Sequence, residues 1–288
     1  MDLSIIVVNF NTKRLLRNCL ASIFRGLENS SLNFEIIVVD NGSTDGSSQM
    51  VEESFPQVKL IKNKKNLGFG KANNQALSQA SGEHILLLNS DTEVINKGVE
   101  HLLGFMRKNK EVDIVGGKLF NKDGTPQPSC GPFYSLPILF LMLFLKGDKL
   151  KITRWSPKRV CEVDWVSGAC LMAKRGVFEK LVFDENIFMY MDEIEFLYRA
   201  KKAGFKVFFC PEAKFFHLGS ASSKRKKTPV LNIYQGLLYF YQKHHSGWRL
   251  FLLKLMLKVK AGGAYLFGVL TSNNYLKKTY AEAFSLAR

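Results

Sequence analysis

Residues 85–94, ILLLNSDTEV, constrain the fold of this chain most. Four successive apolar side chains, Ile85 to Leu88, suit a strand buried on both faces, and the run ends abruptly at Asn89 and Asp91. A buried strand has no packing use for an acid at its tip, whereas a site that binds a divalent cation and a phosphate does. Two other runs repeat the design: SIIVVNFN (4–11) closes on Asn9 and Asn11, and EIIVVD (35–40) closes on Asp40, with Asn41 next. VKLIKN (58–63) reads as a further strand. Between the strands, Leu15, Leu16, Cys19, Leu20 and Ile23 recur at helical spacing, a short helix passes through Met50 and Val51, and NLGFGKANNQALSQAS (66–81) reads as a loop and a helix. This alternation over the first 117 residues predicts an α/β fold, a mostly parallel sheet with helices on both faces. Because each strand begins apolar and ends polar, Asn9, Asn11, Asp40, Asn41 and Asp91 share the carboxyl edge, where open α/β sheets bind ligands.

The chain has 288 residues, 46% of them hydrophobic, enough for one large domain or for a domain with a substantial appendage. Its charge is lopsided. From Arg199 to the end there are 17 Lys and Arg against two acids, Glu212 and Glu282, which accounts for +15 of the total +16. Such asymmetry suggests an anionic partner, nucleic acid or acidic lipid head groups, with a solvated lysine-rich surface as the plainer alternative. Five scattered cysteines without CxxC spacing read as reduced thiols in the cytosol. The N-terminal apolar run is too short for a signal peptide and lacks a basic leader, so secretion of the catalytic body is not expected. No apolar stretch reaches the roughly 18 residues of a membrane span. LPILFLMLFLKG (136–147) is therefore either a core helix or an interfacial segment. No internal repeat is visible.

A second concentration of chemistry lies at 183–222, FDENIFMYMDEIEFLYRAKKAGFKVFFCPEAKFFHLGSAS. Asp192 sits where a helix should begin and Gly204 where it should end, and KVFFCPEA reads as a short strand closed by its proline. Farther on, Trp248, Phe251, Leu252, Leu255, Met256 and Val259 form a helical stripe with Arg249, Lys254 and Lys258 between them, the pattern of a basic amphipathic helix that attaches to a membrane surface or packs on the body. The run SKRKKT (223–228) would add electrostatic attraction to acidic lipid, at about 1 kcal/mol per basic residue.

The order of these strings, SIIVVNFN, VVDNGSTDGS, NLGFGKANNQA, LLLNSDTEV, VDWVSGACLM, FMYMDEIEFLYRAKKAG and FFHLGSAS, resembles the inverting family 2 glycosyltransferases, whose nucleotide-sugar-binding fold is called GT-A, and within them the rhamnosyltransferase-like branch of bacterial surface polysaccharide synthesis. The likeness covers about residues 3 to 222. It implies a GT-A catalytic domain over 1–222 and a basic, amphipathic, helical and membrane-apposed C-terminal extension over 223–288. It also implies that Asn9 and Asn11 border the nucleotide pocket, that Asp40 hydrogen-bonds the base, and that Lys71 and Asn73 lie along the nucleotide-sugar path. Asp91 matches the last acid of the family's DxD motif, the ligand of a Mg²⁺ or Mn²⁺ ion that bridges the diphosphate. Asn89 stands where many members have Asp, as a neutral oxygen ligand or sugar contact. His217 matches a histidine that completes the metal or diphosphate site in some relatives, and its place beside two phenylalanines also suits a core residue. Trp165, Ser167 and Gly168 fall where the family lines the acceptor site, Trp165 with a flat face for stacking on a sugar or for burial.

Inverting transfer in one displacement needs a carboxylate to take the acceptor hydroxyl proton. An acid in the first turn of a helix is favoured in its ionised form by the helix dipole. The family's usual pair is Glu-Asp and here it is Asp192-Glu193, so position assigns the base to Glu193 while chemical identity leaves Asp192 open. The reaction so implied moves a sugar from a dTDP- or UDP-sugar donor, dTDP-rhamnose being the first guess, to a glycan or polyprenyl-linked glycan, on the inner face of the cytoplasmic membrane. The rival is a nucleic-acid-binding protein whose footprint is the basic third, although its aromatics are interleaved with aliphatic runs and no nucleic-acid motif appears. A nucleotidyltransferase would need a glycine-rich phosphate loop, and SIIVVNFNTKR contains no glycine.

Overall fold

The computed structural model describes residues 1–219 and 227–287. The chain opens with β1 (Leu3–Asn9), α1 (Lys13–Leu27), β2 (Phe34–Asp40), α2 (Ser47–Ser54), β3 (Lys59–Lys62), α3 (Phe69–Leu77) and β4 (His84–Asn89). It then turns through Ser90 and Asp91 into β5 (Thr92–Val94), α4 (Gly98–Lys108) and β6 (Ile114–Phe120). Next come short pieces: β7 (Pro126–Gln127), β8 (Cys130–Gly131), α5 (Leu136–Phe144), β9 (Cys161–Glu162) and β10 (Trp165–Val166). β11 (Cys170–Lys174), α6 (Arg175–Lys180), α7 (Asp192–Lys202) and β12 (Val207–His217) complete the sheet region, and α8 (Lys227–His244), α9 (Gly247–Leu270) and α10 (Asn274–Leu286) come last.

The main sheet runs β3-β2-β1-β4-β11-β6-β12-β5. β3, β2, β1 and β4 are parallel, β11 is antiparallel to both its neighbours, and β12 is parallel to β6 and antiparallel to β5. The strands are apolar on both sides because both faces are covered. Ile5 and Val7 pack with Leu16, Leu20 and Leu102 on one face, while Ile6, Ile37 and Leu87 pack with Ala72, Ala76 and Phe196 on the other. In-register pairing of Asn9 with Asp40 and of Val8 with Asn89 brings the polar strand ends to one edge. The expected α/β sheet is therefore present, with the strand expected to run to Asp91 ending two residues earlier, at Asn89.

One strand departs from expectation. β12 does not stop at Pro211 but runs through it to His217, with its register against β6 shifting between Cys210 and Lys214. Proline donates no ladder hydrogen bond, and a bulge is where a sheet tolerates that loss. The consequence is functional, since the second half of β12 carries His217 to β5 and so to Asp91.

The expected boundary at 222/223 and the start of the SKRKKT run lie outside the described residues. The helix α8 is no loose appendage. Its Tyr234, Leu237, Phe240 and Tyr241 are buried in the same core as Phe196 and Leu197 of α7. At roughly 1.5–3 kcal/mol for each large side chain buried, these residues tie α8 firmly to α7. Gly236 shows how closely it packs, because a Cβ there would come within 2.7 Å of Met191 Cβ. Glu195, fully buried on α7, accepts from Arg199, from Lys243 Nζ at 2.8 Å and from His244 Nε2 at 3.0 Å. Burial alone would raise its carboxyl, but these partners hold it below the usual glutamate range.

α9 is anchored by Leu253, Leu257 and Ala261, whereas the stripe expected from sequence points away from the body: Trp248, Phe251, Leu255 and Val259 are 60, 67, 50 and 57% exposed. α5 packs against α9, with Lys260 Nζ donating to Leu143 O at 2.6 Å, and of its side chains only Leu139 is fully buried while Phe140 is exposed. The 136–147 segment is thus a helix lying on the body, with Leu139 in the core, Leu136, Ile138, Met142 and Leu143 packed against it and Phe140 left exposed. Among the described residues, no helix is long and apolar enough to cross a membrane.

Candidate active site

A cavity of about 510 Å³ opens at the carboxyl edge of the sheet. One wall comes from the ends of β1, β2 and β4 through Val8, Asn41, Asn89, Ser90 and Asp91, joined by His217 from the end of β12. The rest of the lining comes from Ser167 and Gly168, from Asp192 and Glu193 at the start of α7, and from Arg154.

Asp91 and His217 meet because β5 and β12 pair directly after the β4 turn. His217 Nε2 lies 3.4 Å from Asp91 Oδ1, and Asn89 Nδ2 is 3.3 Å from the same nitrogen. The ring is oriented from behind. Gln127 spends its amide hydrogens on Asn121 Oδ1 and His217 O, so its Oε1 faces His217 Nδ1 at 2.7 Å and that nitrogen donates. In this tautomer Nε2 is an acceptor, within reach of Asn89 Nδ2 at 3.3 Å, and it stands 3.4 Å from the Asp91 carboxylate, a second electron-pair donor. A carboxylate and an imidazole at that spacing fit a Mg²⁺ or Mn²⁺ ion whose other ligands are phosphate oxygens and water. Among the described residues no cluster of three or more His, Cys, Asp or Glu side chains forms a closed metal cage, so a substrate must complete any such ion's shell.

The rest of the lining presents two adjacent carboxyls on the first turn of α7. Asp192 is 2% exposed, and its Oδ2 has no protein partner among the described residues. Burial raises both carboxyls above their ordinary range, with the Asp192 charge adding to the effect on Glu193. Two like groups this close share a proton, so the pair titrates as a unit. Tyr190, two residues earlier and also on the wall, is held at φ 81°, a left-handed backbone costly for a bulky side chain. Helix start and strained turn together aim the acids inward. On the neighbouring loop, Gly68 has φ +89° and lies so close to Phe188 that a Cβ would sit 2.7 Å from its carbonyl oxygen.

Asn41, Asn89, Asp91, Ser167, Gly168, Asp192, Glu193 and His217, eight of the residues singled out from sequence, are thus brought together. The others are not on the cavity wall. Asp40 accepts from Asn9 Nδ2 at 2.9 Å, from the Ser43 amide and hydroxyl, and from Ser48 Oγ at 2.6 Å, which uses its carboxylate to brace the β1–β2 edge. Asn11, at φ 53°, accepts from the Thr44 amide at 2.8 Å in the same turn. Asn73 is buried and donates to Phe69 O, and Lys71 pairs with Glu185 at 3.1 Å on the surface. Trp165 is 3% exposed, packs edge-on against Tyr134 and donates from Nε1 to Pro132 O at 2.8 Å, so its ring lies in the core behind Ser167 and Gly168 and offers no open face to a sugar. Sequence reasoning missed Gln127, which lacks a motif of its own, and Arg154, which lies in a stretch without periodicity.

Residues 4–180 match the profile of the family described as Glycosyl transferase family 2. The chain is 28% identical over 267 residues to an N-acetylglucosaminyl-diphospho-decaprenol L-rhamnosyltransferase of Mycobacterium tuberculosis, covering 85% of this chain and 86% of the relative. It is 29% identical over 226 residues to the low-salt glycan biosynthesis hexosyltransferase Agl10 of Haloferax volcanii, covering 75% and 67% of the two chains. The fold is similar to a crystal structure of S. aureus TarS residues 1–349, with a TM-score of 0.54 at 15% identity, covering 99% of this chain and 89% of the other.

Proposed function

The chain belongs to Glycosyl transferase family 2 and is a glycosyltransferase of polysaccharide synthesis, and we propose that it moves a sugar, with inversion, from a nucleotide-diphosphate donor to a hydroxyl of a polyprenyl-linked glycan at an anionic membrane surface. The observation that carries this reading is the single cavity lined both by Asp91 and His217 and by the Asp192–Glu193 pair. A direct displacement needs both, a base on the side the acceptor enters and charge neutralisation on the side the diphosphate leaves.

The donor diphosphate lies against Asn89, Asp91 and His217, with the nucleotide toward Val8, Asn41 and Asn66. The acceptor hydroxyl approaches from Ser167 and Gly168, and its proton passes to the carboxylate that the acid pair holds. The hydroxyl oxygen attacks the anomeric carbon while the bond to the diphosphate oxygen breaks on the far face. Asp91 and His217 would hold a Mg²⁺ or Mn²⁺ ion, which when bound would neutralise negative charge on the leaving diphosphate. The pair's position assigns the base to Glu193, with Asp192 sharing its proton. A dTDP-rhamnose-like donor is supported by the likeness to the mycobacterial enzyme. Membrane apposition is supported by the exposed α9 stripe flanked by Arg249, Lys254 and Lys258. The basic third is accounted for by this surface, which leaves the nucleic-acid alternative without support.

The test is to incubate the purified chain with a panel of nucleotide sugars, Mn²⁺ and a short polyprenyl-diphosphate glycan. Release of nucleoside diphosphate with sugar on the lipid is expected for at least one donor. Absence of release and transfer with every donor refutes the reading.

A further inference from the structure

The acceptor wall carries a cation that the reaction as described does not use. Arg154 follows α5, its backbone held where Trp155 N donates to Cys130 O at 3.0 Å. The guanidinium lies 5.7 Å from the centre of the Trp165 ring, and Nη2 donates to the Tyr134 hydroxyl at 2.8 Å. It stands in the field of Glu193 and Asp148, and the Asp148 carboxylate is already engaged by the Thr153 hydroxyl. Nε is buried and has no protein partner among the described residues. A guanidinium presents a planar fork of donors, and one held on a cavity wall with buried capacity unspent is completed by an oxyanion.

The segment leading to Arg154 identifies which oxyanion. Leu145, Leu150 and Ile152 are exposed there, interleaved with exposed Lys146, Lys149 and Lys151, and Phe140 of α5 is exposed beside them. Only Thr153 separates Ile152 from Arg154, a span of at most roughly 7 Å of chain. An apolar and basic surface therefore lies next in the chain to a phosphate-seeking group that lines the same cavity as Glu193 and interacts with it. We propose that Arg154 is the subsite for a phosphate of a lipid-diphosphate acceptor, whose hydrocarbon tail leaves the cavity along Ile152, Leu150 and Phe140. This rests on the transferase reading above and adds to it the group that selects the acceptor.

The experiment uses the full chain and two acceptors bearing the same sugar, one on a short polyprenyl diphosphate and one as a phosphate-free alkyl glycoside. Arg154→Gln is expected to raise the KM for the diphosphate acceptor roughly 10- to 100-fold and to leave the donor KM and the KM for the alkyl glycoside unchanged, while any fall in kcat from losing its field on Glu193 is common to both acceptors. Farnesyl diphosphate, titrated calorimetrically without donor, is expected to bind the wild type and to lose a similar factor in the variant. Tyr134→Phe, which frees the guanidinium without removing it, should weaken that binding less and serves if Arg154→Gln fails to fold. Equal rises in KM for both acceptors would make Arg154 a structural residue only, a raised donor KM would give its phosphate to the donor, and absence of farnesyl diphosphate binding to the wild type would remove the subsite. Each overturns the proposal while transfer by the wild type stands. Absence of wild-type transfer to either acceptor instead sinks the transferase reading.

Discussion

At the ends of β1 and β2, toward which the nucleotide is proposed to lie, polar groups are matched by protein: Asp40 receives four hydrogen bonds, and Asn41 donates to Asn66 and Gly68 while accepting from Asn63 and Leu67. On the acceptor side Asp192 Oδ2 and Arg154 Nε are buried without partners among the described residues, the acids are crowded together, and Tyr190 is strained. The contrast teaches how labour is divided. A nucleotide diphosphate can be met by a cradle built in advance, because its shape is fixed, whereas the wall that performs the proton transfer keeps its unsatisfied groups until the acceptor supplies their partners.

The sharpest way to break this contrast is Glu193→Gln. Transfer should fall about 10²- to 10⁴-fold while calorimetric donor affinity stays within about twofold. Loss of donor binding would merge the two walls, and full activity would move the base to Asp192 or elsewhere.

The pH dependence comes next. Both carboxyls are raised, by burial first and for Glu193 by Asp192 as well, so the pair holds the required negative charge only as pH climbs. Log kcat/KM should rise along a limb above the ordinary carboxylate range, and Asp192→Asn should bring that limb down. Stability has the opposite sign. Raised acids favour the folded state while protonated, so this contribution is present below the ordinary carboxylate pKa and is lost as pH rises through the raised values, which thermal melts across that range can track.

Smaller effects belong to the donor wall. Asp91→Asn should weaken Mn²⁺-dependent donor binding about 10- to 100-fold, and Gln127→Ala, which releases the ring of His217, roughly 10-fold by the same titration. Asp91→Asn should leave binding of the acceptor alone unchanged. The least is expected of Lys71→Ala, because its ion pair with Glu185 is about half exposed on both partners. A thermal melt should show a loss of less than about 1 kcal/mol, with no change in donor KM. A large rise in donor KM would restore Lys71 to the sugar path.

The strands of the β1–β4 edge were legible because burial on both faces forces unbroken apolar runs, and the start of α7 because Asp192 and Gly204 bracket it. Proline at 211 misled, since a single residue carries no mark that distinguishes a strand end from a bulge. Trp165 looked like a stacking platform because sequence shows what a ring can do and not which way it faces. Gln127 and Arg154 were invisible for a related reason: each acts through a partner far along the chain, His217 for one and Tyr134 and Trp165 for the other, and such pairings exist only after β12 and β10 are in place. The C-terminal stripe was visible as a pattern, but either face of a helix can be the one that docks.

That last feature bears on protein engineering. α9 packs through Leu253, Leu257 and Ala261 and presents Trp248, Phe251, Leu255 and Val259 on its other side, so the two sets can be rewritten independently. Cutting the chain before α8 to obtain better-behaved material would remove Gly236 and Lys243 from behind the α7 acids and collapse the very wall one wished to assay. Recolouring the outer set with glutamine and glutamate keeps that wall intact, and gives a bench form of the enzyme that differs from the natural one only in what it adheres to.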